Sequence, residues 1–287
     1  MKIGVDIGGT NIRAGLVQNG VIMVQRQLLL EQKDSLDATL AQLIGLIRPL
    51  IQDGVDGIGI GVPSVVDVAQ GIVYHVMNIP SWEEVALREI LEEEFHIPVA
   101  INNDVNCFAL GEHRYGQMQG FSSLIGLAIG TGLGSGIITN NRLYSGHNCG
   151  AGEIGMLPYH DSILEEYASN RFFEREMGMG AFLAHSRALE GDRQAIEAWK
   201  AFGGHLASAI KVLLYAFDPE AIVIGGSLAK AQALFQSSML ESLQSFAYPN
   251  TLERLHIKMS RNENIALLGA VALLDDISTT KVKSGIL

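Results

Sequence analysis

A strand that runs into a glycine turn occurs twice in this chain, and this repeat limits the possible folds more than any other feature. Residues 3–10 read Ile-Gly-Val-Asp-Ile-Gly-Gly-Thr, and residues 125–132 read Ile-Gly-Leu-Ala-Ile-Gly-Thr-Gly. A second glycine-containing pair follows in the same order, at residues 58–62 and 222–226. Chance is the simplest alternative in a chain with 32 glycines, but the second pair weakens it. The repeat predicts two similar α/β lobes whose glycine turns face each other across a cleft.

The residues around the turns predict the remaining strands and helices. Asn19-Gly20 favours a tight hairpin turn because both residues tolerate a positive φ, and Asn140-Asn141 stands at the matching place in the second half. Ser81 and Glu84 have capping-box spacing, which predicts a helix that begins after Trp82. Apolar residues at helical spacing predict further helices at about residues 35–51, 105–115, 162–176, 181–189, 193–217, 228–246 and 265–276.

Length, charge and cysteine content indicate a globular cytoplasmic protein. The 287 residues are 48% hydrophobic, and the net charge of −11 provides no basic field for nucleic acid or an anionic membrane. Cys107 and Cys149 are too few for a disulfide framework, and we expect both to be ordinary buried side chains. Met1 and Lys2 lead directly into a predicted strand, and no apolar segment approaches a membrane span. Neither a signal peptide nor a membrane helix is therefore expected.

The two glycine turns are candidate phosphate sites. Glycine lets backbone N–H groups approach a phosphate without interference from a Cβ atom, and the Thr10 hydroxyl can donate to a phosphate oxygen. A single Gly-Gly-Thr turn is more often structural, and the chain has neither a P-loop nor a G-x-G-x-x-G pattern after its first strand. Gly8-Gly9-Thr10 and Gly130-Thr131-Gly132 together could hold two parts of one polyphosphate, with Asp6 at the mouth of the first turn.

Polar residues concentrate at residues 102–106, where a predicted strand meets a predicted helix. Capping the helix is the simpler role, and either Asn103 or Asp104 alone would fulfil it. The surplus of polar groups indicates a surface that faces a ligand, where a carboxylate could accept a proton from an attacking hydroxyl.

Two further acidic positions are candidate ligand contacts. Glu153 follows the small residues 150–152, which would allow close approach of a polar ligand, although it could equally be a surface charge. Glu165 and Glu166 stand near a predicted helix start, where acidic side chains interact favourably with the helix dipole.

These segments resemble the ROK family of sugar kinases, within the actin, hexokinase and Hsp70 superfamily, over nearly the whole chain. Seven short motifs stand in the family's order, at residues 6–10, 61–67, 78–82, 103–106 with 109–112, 130–136, 151–155 and 224–226. The resemblance implies an α/β fold with two similar actin-like (ribonuclease H-like) lobes and an interlobe cleft. The amino-terminal lobe would comprise residues 1–115 and a helix at about 265–287, and would bind sugar and phosphate. Residues 116–264 would bind nucleotide and form a homodimer.

The resemblance also implies phosphoryl transfer from MgATP to a hexose hydroxyl, as in a glucokinase acting on the 6-OH, with Asp104 as the general base. N-acetylmannosamine, N-acetylglucosamine or fructose are alternative substrates. Another class remains open, a sugar-sensing regulator without kinase activity. The family's repressors carry a DNA-binding winged helix before the Asp-x-Gly-Gly-Thr motif, and this sequence begins at that motif, so we expect a kinase.

By the same resemblance, each motif has an expected ligand. Asp6 would position Mg²⁺, through water. The sugar contacts would be Ser64, Asn78, Asn103, Asp104, Glu153 and Glu165. The ATP contacts would be Asp6, Gly8, Gly9, Thr10, Asn11, Gly130, Thr131, Gly132, Gly225 and Gly226.

One segment departs from the family's pattern. Many members follow Gly-Glu-x-Gly with a histidine and a cysteine-rich loop, and that histidine binds zinc and approaches the sugar. Here Met156 holds the histidine position, and residues 157–164 contain no cysteine. His147, Cys149 and His160 are not at the family's ligand positions, and zinc requires about four nitrogen or sulfur ligands. We therefore expect no zinc, and the sugar cannot be inferred from zinc-containing glucokinases.

Overall fold

A computed structural model describes the backbone of residues 1–8 and 10–283, with side chains as far as Asp275. The chain divides into two compact units. The first contains Met1–Gln119, Leu143–Ala151 and the described residues from Asn262 onward, and the second contains Gly120–Arg142 and Gly152–Arg261. Residues 143–151 thus belong to the first unit, whereas the sequence assigned them to the second lobe.

Groups of strands and groups of helices follow one another along the chain, and both lobes contain strands and helices. The strands are β1 Lys2–Ile7, β2 Asn11–Gln18, β3 Val21–Leu29, β4 Ile58–Val62, β5 Val65–Asp67, β6 Ile72–Tyr74, β7 Glu84–Val85, β8 Val99–Asn103, β9 Leu124–Ile129, β10 Leu133–Thr139, β11 Arg142–Tyr144, β12 Pro158–Tyr159, β13 Ser162–Ile163, β14 Ala221–Gly225 and β15 His256–Met259. The α-helices are α1 Leu36–Ile47, α2 Leu87–Phe95, α3 Asp104–Arg114, α4 Glu165–Ala168, α5 Asn170–Met177, α6 Ala181–Leu189, α7 Arg193–Phe217, α8 Gln232–Leu243, α9 Pro249–Arg254 and α10 Ile265–Lys283. Short 3₁₀ helices occupy Arg48–Leu50, Ile154–Met156 and Ser227–Ala231.

Each unit contains a mixed five-stranded sheet, and the two sheets have corresponding strand orders. The first is β3-β2-β1-β4-β8 and the second is β11-β10-β9-β14-β15. In the first, β1 pairs antiparallel with β2 and parallel with β4. In the second, β9 pairs antiparallel with β10 and parallel with β14. The repeated letters therefore mark a repeated supersecondary unit, and the predicted α/β architecture of two similar lobes is confirmed.

Glycines in the first sheet allow helix α10 to pack closely against the strands. A Cβ atom at Gly59 of β4 would overlap the backbone carbonyl of Ala270, and one at Gly4 of β1 would overlap that of Leu267. Val5 and Ile60, which neighbour these glycines, are completely buried in the core of the unit. In these strands the glycines therefore face helix α10, and the branched residues that alternate with them form the hydrophobic core.

Two predicted helices differ from the structure. The helix expected after Trp82 begins only at Leu87, because residues 84–85 pair with β6 as strand β7. The Ser81 hydroxyl is buried without a hydrogen-bond partner among the described residues, so it does not cap the helix. Instead Trp82 is buried and its Nε1 donates to Thr39 Oγ1 at 2.7 Å.

The helix expected from Ser162 starts three residues later than predicted, at Glu165. Ser162 and Ile163 pair with β12 in a short hairpin, whose turn includes His160 at a φ of 51°. Ser169 then has an extended backbone and separates α4 from α5. Helix α9 and strand β15 were not predicted. Within the described residues, no helix combines the length and apolar character needed to cross a membrane.

Candidate active site

The first glycine turn connects β1 to β2. Ile7 pairs with Ile12, and the Gly8 N–H donates to the Asn11 carbonyl, at the start of β2, at 2.9 Å. Thr10 is exposed, and its carbonyl accepts a hydrogen bond from the Leu30 N–H at 2.9 Å. Gly9, which the sequence predicts as an ATP contact, lies outside the described residues. The turn therefore presents the exposed Thr10 hydroxyl while its own backbone is anchored at both ends.

Asp6 is buried beside an arginine that the sequence analysis missed. Asp6 and Arg13 are cross-strand partners, and the Arg13 Nη2 atom forms an ion pair with Asp6 Oδ2. The other terminal nitrogen, Nη1, donates to the Glu263 carbonyl at 2.9 Å. The carboxylate of Asp6 is thus held in one orientation next to the turn. The hairpin register was the signal that could have identified Arg13, since it places residue 13 opposite residue 6.

The polar residues at 102–106 lie at the junction of β8 and α3, as the sequence predicted. The Asn103 side chain caps α3 by accepting hydrogen bonds from the N–H groups of Val105 at 2.8 Å and Asn106 at 3.2 Å. Its Nδ2 donates to the Ser64 carbonyl at 3.3 Å, which brings two predicted sugar contacts together. Asp104 is half-buried as the first residue of α3, and its Oδ1 accepts from the Val105 N–H at 2.9 Å. Asn103 therefore caps the helix, and the carboxylate of Asp104 is not required as the cap.

Ser64 and Asn78, both predicted sugar contacts of the first unit, differ in their surroundings. The Ser64 hydroxyl donates to the Tyr74 carbonyl and points toward β6. Asn78 is exposed in the segment between β6 and β7. Its exposure leaves its side chain accessible to a ligand, but no contact in the structure assigns it to one.

The segment Leu143–Ala151 contributes Ser145 and Cys149 to a buried polar network beside the junction of β8 and α3. The Cys149 thiol donates to Asn102 Oδ1 at 3.0 Å, and the same oxygen accepts from Asn106 Nδ2 at 2.9 Å and from the Asn103 N–H at 2.8 Å. Asn102 Nδ2 in turn donates to Ser145 Oγ at 3.3 Å. Cys149 is buried as expected, but sequence reasoning did not predict that its thiol supports the strand end that carries Asn103.

Cys107 is the second buried thiol, on helix α3. Burial raises the pKa of Cys107 well above its ordinary value, and the negative charges of Asp104 and Asp6 raise it further. A thiol in this environment remains protonated near neutral pH. Cys107 is therefore an inert packing residue rather than a nucleophile.

The second glycine turn, residues 130–132, connects β9 to β10. Ile129 pairs with Leu133, and the Gly130 N–H donates to the Gly132 carbonyl at 3.0 Å. The Leu133 N–H donates to Glu165 Oε2 at 2.9 Å. A Cβ atom at Gly132 would lie 2.6 Å from that carboxylate oxygen. Glu165, predicted as a sugar contact, thus directly contacts the predicted phosphate turn.

Gly225 and Gly226 adjoin the same turn. Strand β14 ends at Gly225, and Gly226 has a φ of 91°. A Cβ atom at Gly226 would overlap the backbone of Ile129, which is the residue before Gly130. The structure therefore brings these two predicted nucleotide contacts together with the second turn.

Glu153 is exposed near β10 and interacts electrostatically with Glu165. Ser135 Oγ donates to the Gly152 carbonyl at 2.7 Å, which fixes the residue before Glu153. Partial desolvation raises the pKa of Glu153, and the negative charge of Glu165 raises it further. Two predicted sugar-binding carboxylates are thus close enough to influence each other.

Aromatic and imidazole rings occupy the segment in which many family members carry their zinc loop. Tyr159 packs against His160, Tyr167 and His205, and its hydroxyl lies 3.1 Å from His205 Nδ1. Burial lowers the pKa of His205 to about 4, with smaller effects from His160 and Arg175. Among the described side chains, no three His, Cys, Asp or Glu residues gather as a metal site. Two imidazoles without thiolates do not fit the zinc loop, and the absence of zinc stays a prediction.

The chain thus has two α/β units, each with a glycine turn at the end of its first strand. Successive backbone N–H groups in a turn can form an anion-binding concavity. The ROK family model matches residues 2–277, and the chain belongs to the ROK family.

Relatives within the family include kinases and a regulator. The chain is 30% identical over 265 residues to an N-acetyl-D-glucosamine kinase of Photobacterium profundum, covering 82% of this chain and 87% of that protein. A ROK family glucokinase from Streptomyces griseus, solved in complex with glucose and AMPPNP, matches with a TM-score of 0.81 and 25% identity over 95% of this chain and 98% of that one. A xylose repressor of Caldicellulosiruptor bescii is 28% identical over 310 residues, covering 95% of this chain and 77% of the repressor.

Proposed function

We propose that this protein is an ATP-dependent sugar kinase that phosphorylates a hexose hydroxyl. The observation that carries the proposal is the junction of β8 and α3, where Asn103 caps the helix and contacts the Ser64 backbone. Asp104 adjoins this pair as a half-buried carboxylate. A general base beside hydrogen-bonding groups is what deprotonation of a bound alcohol requires.

In this mechanism Asp104 accepts the proton of the sugar hydroxyl as the hydroxyl oxygen attacks the γ-phosphorus of ATP. The bond from that phosphorus to the β,γ-bridging oxygen breaks, and ADP leaves. Phosphoryl transfer depends mainly on positioning and charge neutralisation, which the remaining residues would provide. Asp6 would hold Mg²⁺ through water, and the ion when bound would neutralise phosphate charge. Ser64, Asn78, Asn103, Glu153 and Glu165 would orient the sugar. The ATP contacts would be Asp6, Gly8, Gly9, Thr10, Asn11, Gly130, Thr131, Gly132, Gly225 and Gly226.

For the substrate, we propose a hexose phosphorylated at its 6-OH, and an N-acetylhexosamine is the first alternative. The glucose complex of the Streptomyces griseus protein supports the former, and the Photobacterium profundum kinase supports the latter. Fructose is a further alternative. Met156 is 61% exposed where many members have a histidine, so this chain lacks that hydrogen-bond donor toward the sugar.

A regulator without kinase activity is the second candidate, because the xylose repressor covers almost the whole of this chain. The two candidates differ in turnover rather than in sugar binding, so an assay of catalysis separates them. A cytoplasmic location and a homodimer formed by the second unit belong to the kinase proposal.

The test is a coupled assay of ADP release with MgATP and a panel of hexoses and N-acetylhexosamines. We expect one sugar to stimulate ADP release, and Asp104→Asn to lower kcat by about 10²- to 10⁴-fold through loss of the general base. Asp37→Asn is the matched control, because Asp37 is an exposed carboxylate in the first turn of another helix, α1. It should retain the wild-type rate.

Absence of stimulation by every sugar, or full activity of Asp104→Asn, would contradict the kinase proposal. Sugar binding by calorimetry without turnover would instead support the regulator. Elemental analysis of the same preparation tests the zinc prediction, and one equivalent of tightly bound zinc would refute it.

A further inference from the structure

Within the second unit, one carboxylate contacts the second glycine turn. Glu165 Oε2 accepts the Leu133 N–H at 2.9 Å, immediately after Gly132. The side chain is only 17% exposed, and Gly132 leaves the space that its carboxylate occupies. The negative charge of Glu165 also acts on Glu153. Glu165 is therefore positioned so that binding of a sugar to its carboxylate can alter the turn.

The segment that carries Glu165 also holds the other end of this turn. The Asn170 N–H donates to the Gly130 carbonyl at 2.8 Å, while Glu165 accepts from Leu133. Ser169, which is completely buried, caps α5 by accepting the Arg171 N–H at 3.2 Å. The turn is thus fixed to residues 165–171 at both ends.

Arg171 sets the position and charge balance of Glu165. Its Nη2 lies 3.3 Å from Glu165 Oε1, and its Nη1 donates to Glu166 Oε1 at 2.8 Å. A guanidinium group can satisfy two carboxylates at once because its donors form a rigid planar fork. Without this cation, the carboxylates of Glu165 and Glu166 would lose the ion-pair partner that they share. Their repulsion would favour rotation of Glu165 away from the turn.

We propose that Glu165 couples sugar binding to the phosphate turn formed by residues 130–132, and that Arg171 is the positioning residue on which this coupling depends. The inference rests on the proposed function for the identity of the two ligands. A sugar that binds Glu165 would fix the carboxylate on the Leu133 N–H and so prepare the turn for phosphate. By thermodynamic linkage, nucleotide must then raise the affinity for sugar by the same factor.

The test is calorimetric binding of Mg-AMPPNP to the full chain with and without a saturating sugar, using glucose and N-acetylglucosamine as probes. For the wild type we expect the sugar to tighten nucleotide binding by about fivefold or more. Arg171→Met should reduce this coupling factor to about 1 while the protein still binds both ligands. Arg171→Lys keeps the charge without the fork, and should recover part of the coupling.

Arg175→Met is the matched control. Arg175 lies one turn further along α5, where it pairs with Asp161 and packs over the Tyr167 ring. It should retain the wild-type coupling factor. Circular dichroism and thermal unfolding confirm that each variant is folded before its binding is compared.

The outcomes separate this inference from the proposed function. A wild type that binds nucleotide and sugar independently, or an Arg171→Met variant with unchanged coupling, overturns the coupling alone. An equal loss in Arg175→Met also overturns it, because the effect would then follow general disturbance of α5. A wild type that binds no nucleotide overturns the proposed function together with the inference.

Discussion

The two glycine turns each connect the first two strands of a sheet but obtain their charged groups differently. In the first, the carboxylate and its cation come from the hairpin itself, since Asp6 and Arg13 are cross-strand partners. In the second, Ala128 takes the place of Asp6 and pairs with Gly134, so the hairpin has neither charge at that position. Its carboxylate comes instead from Glu165, which lies 32 residues beyond Leu133. A duplicated supersecondary unit can thus keep its turn while its two copies acquire separate chemical roles.

The largest effect expected from this difference is at Asp6. Asp6→Asn removes the negative charge that we assign to Mg²⁺ positioning, and no other carboxylate in that hairpin replaces it. We expect kcat/KM to fall about 100-fold or more, and the Mg²⁺ concentration for half-maximal rate to rise. Titration of the ADP-release assay with Mg²⁺ measures both quantities.

The exposed Asp56 of the same unit provides the control for this change. Asp56→Asn should leave the Mg²⁺ titration unchanged. If Asp6→Asn retained activity within about threefold of wild type, the assigned role of the first turn would be wrong.

Arg13→Met should have an intermediate effect that distinguishes the two turns. It leaves the buried Asp6 carboxylate without its ion-pair partner, which we expect to lower the free energy of unfolding by about 2 kcal/mol. We also expect kcat/KM to fall about 10-fold, with a change in the Mg²⁺ titration because Asp6 is no longer held in place. Denaturant unfolding and the kinetic assay measure the two effects.

Arg171→Met supplies the comparison, because Arg171 is the cation that pairs with the carboxylate at the second turn. It should alter the coupling between sugar and nucleotide while the Mg²⁺ titration remains as in the wild type. An identical response of both arginine variants to Mg²⁺ would show that the two turns do not have separate roles.

The same difference explains how much could be predicted from the sequence. The repeat at residues 3–10 and 125–132 predicted two similar α/β lobes, because each copy is a local unit of neighbouring strands with a short connection, but it did not predict strand β15 of the second sheet. The contact of Arg13 with Asp6 could also have been predicted, because the hairpin register places these two residues opposite each other. The contact of Glu165 with Leu133 could not have been predicted in this way. Residues 162–176 have apolar residues at helical spacing, which concealed the hairpin and the break at Ser169. Contacts between residues distant along the chain depend on packing that periodicity does not encode.

The misplaced helix start at Ser81 has a similar cause. The spacing of Ser81 and Glu84 is that of a capping box, but burial of Trp82 and pairing of β7 with β6 hold this segment extended. Tertiary packing therefore overrode a local signal that was correctly identified. The Asn103 cap was predictable by contrast, because the strand end and the helix start are adjacent in the sequence.

The smallest predicted effect concerns Glu153 and the charge of Glu165 beside it. Because the folded state raises the pKa of Glu153, its ionised form is less favourable in the folded chain than in the unfolded chain. The penalty is absent below the ordinary pKa of a glutamate, and grows as the pH rises through the raised value. Glu153→Gln should therefore stabilise the protein near pH 7 by less than about 1 kcal/mol, because solvent screens this exposed residue, and should have no effect near pH 3.

Thermal unfolding as a function of pH measures this difference, and the second turn supplies its control. Glu165→Gln removes the neighbouring charge, so Glu153→Gln should stabilise that background less than it stabilises the wild type. Equal stabilisation in both backgrounds would mean that the two carboxylates do not interact. The coupling of sugar to the second turn would then depend on Glu165 and Arg171 without a contribution from Glu153.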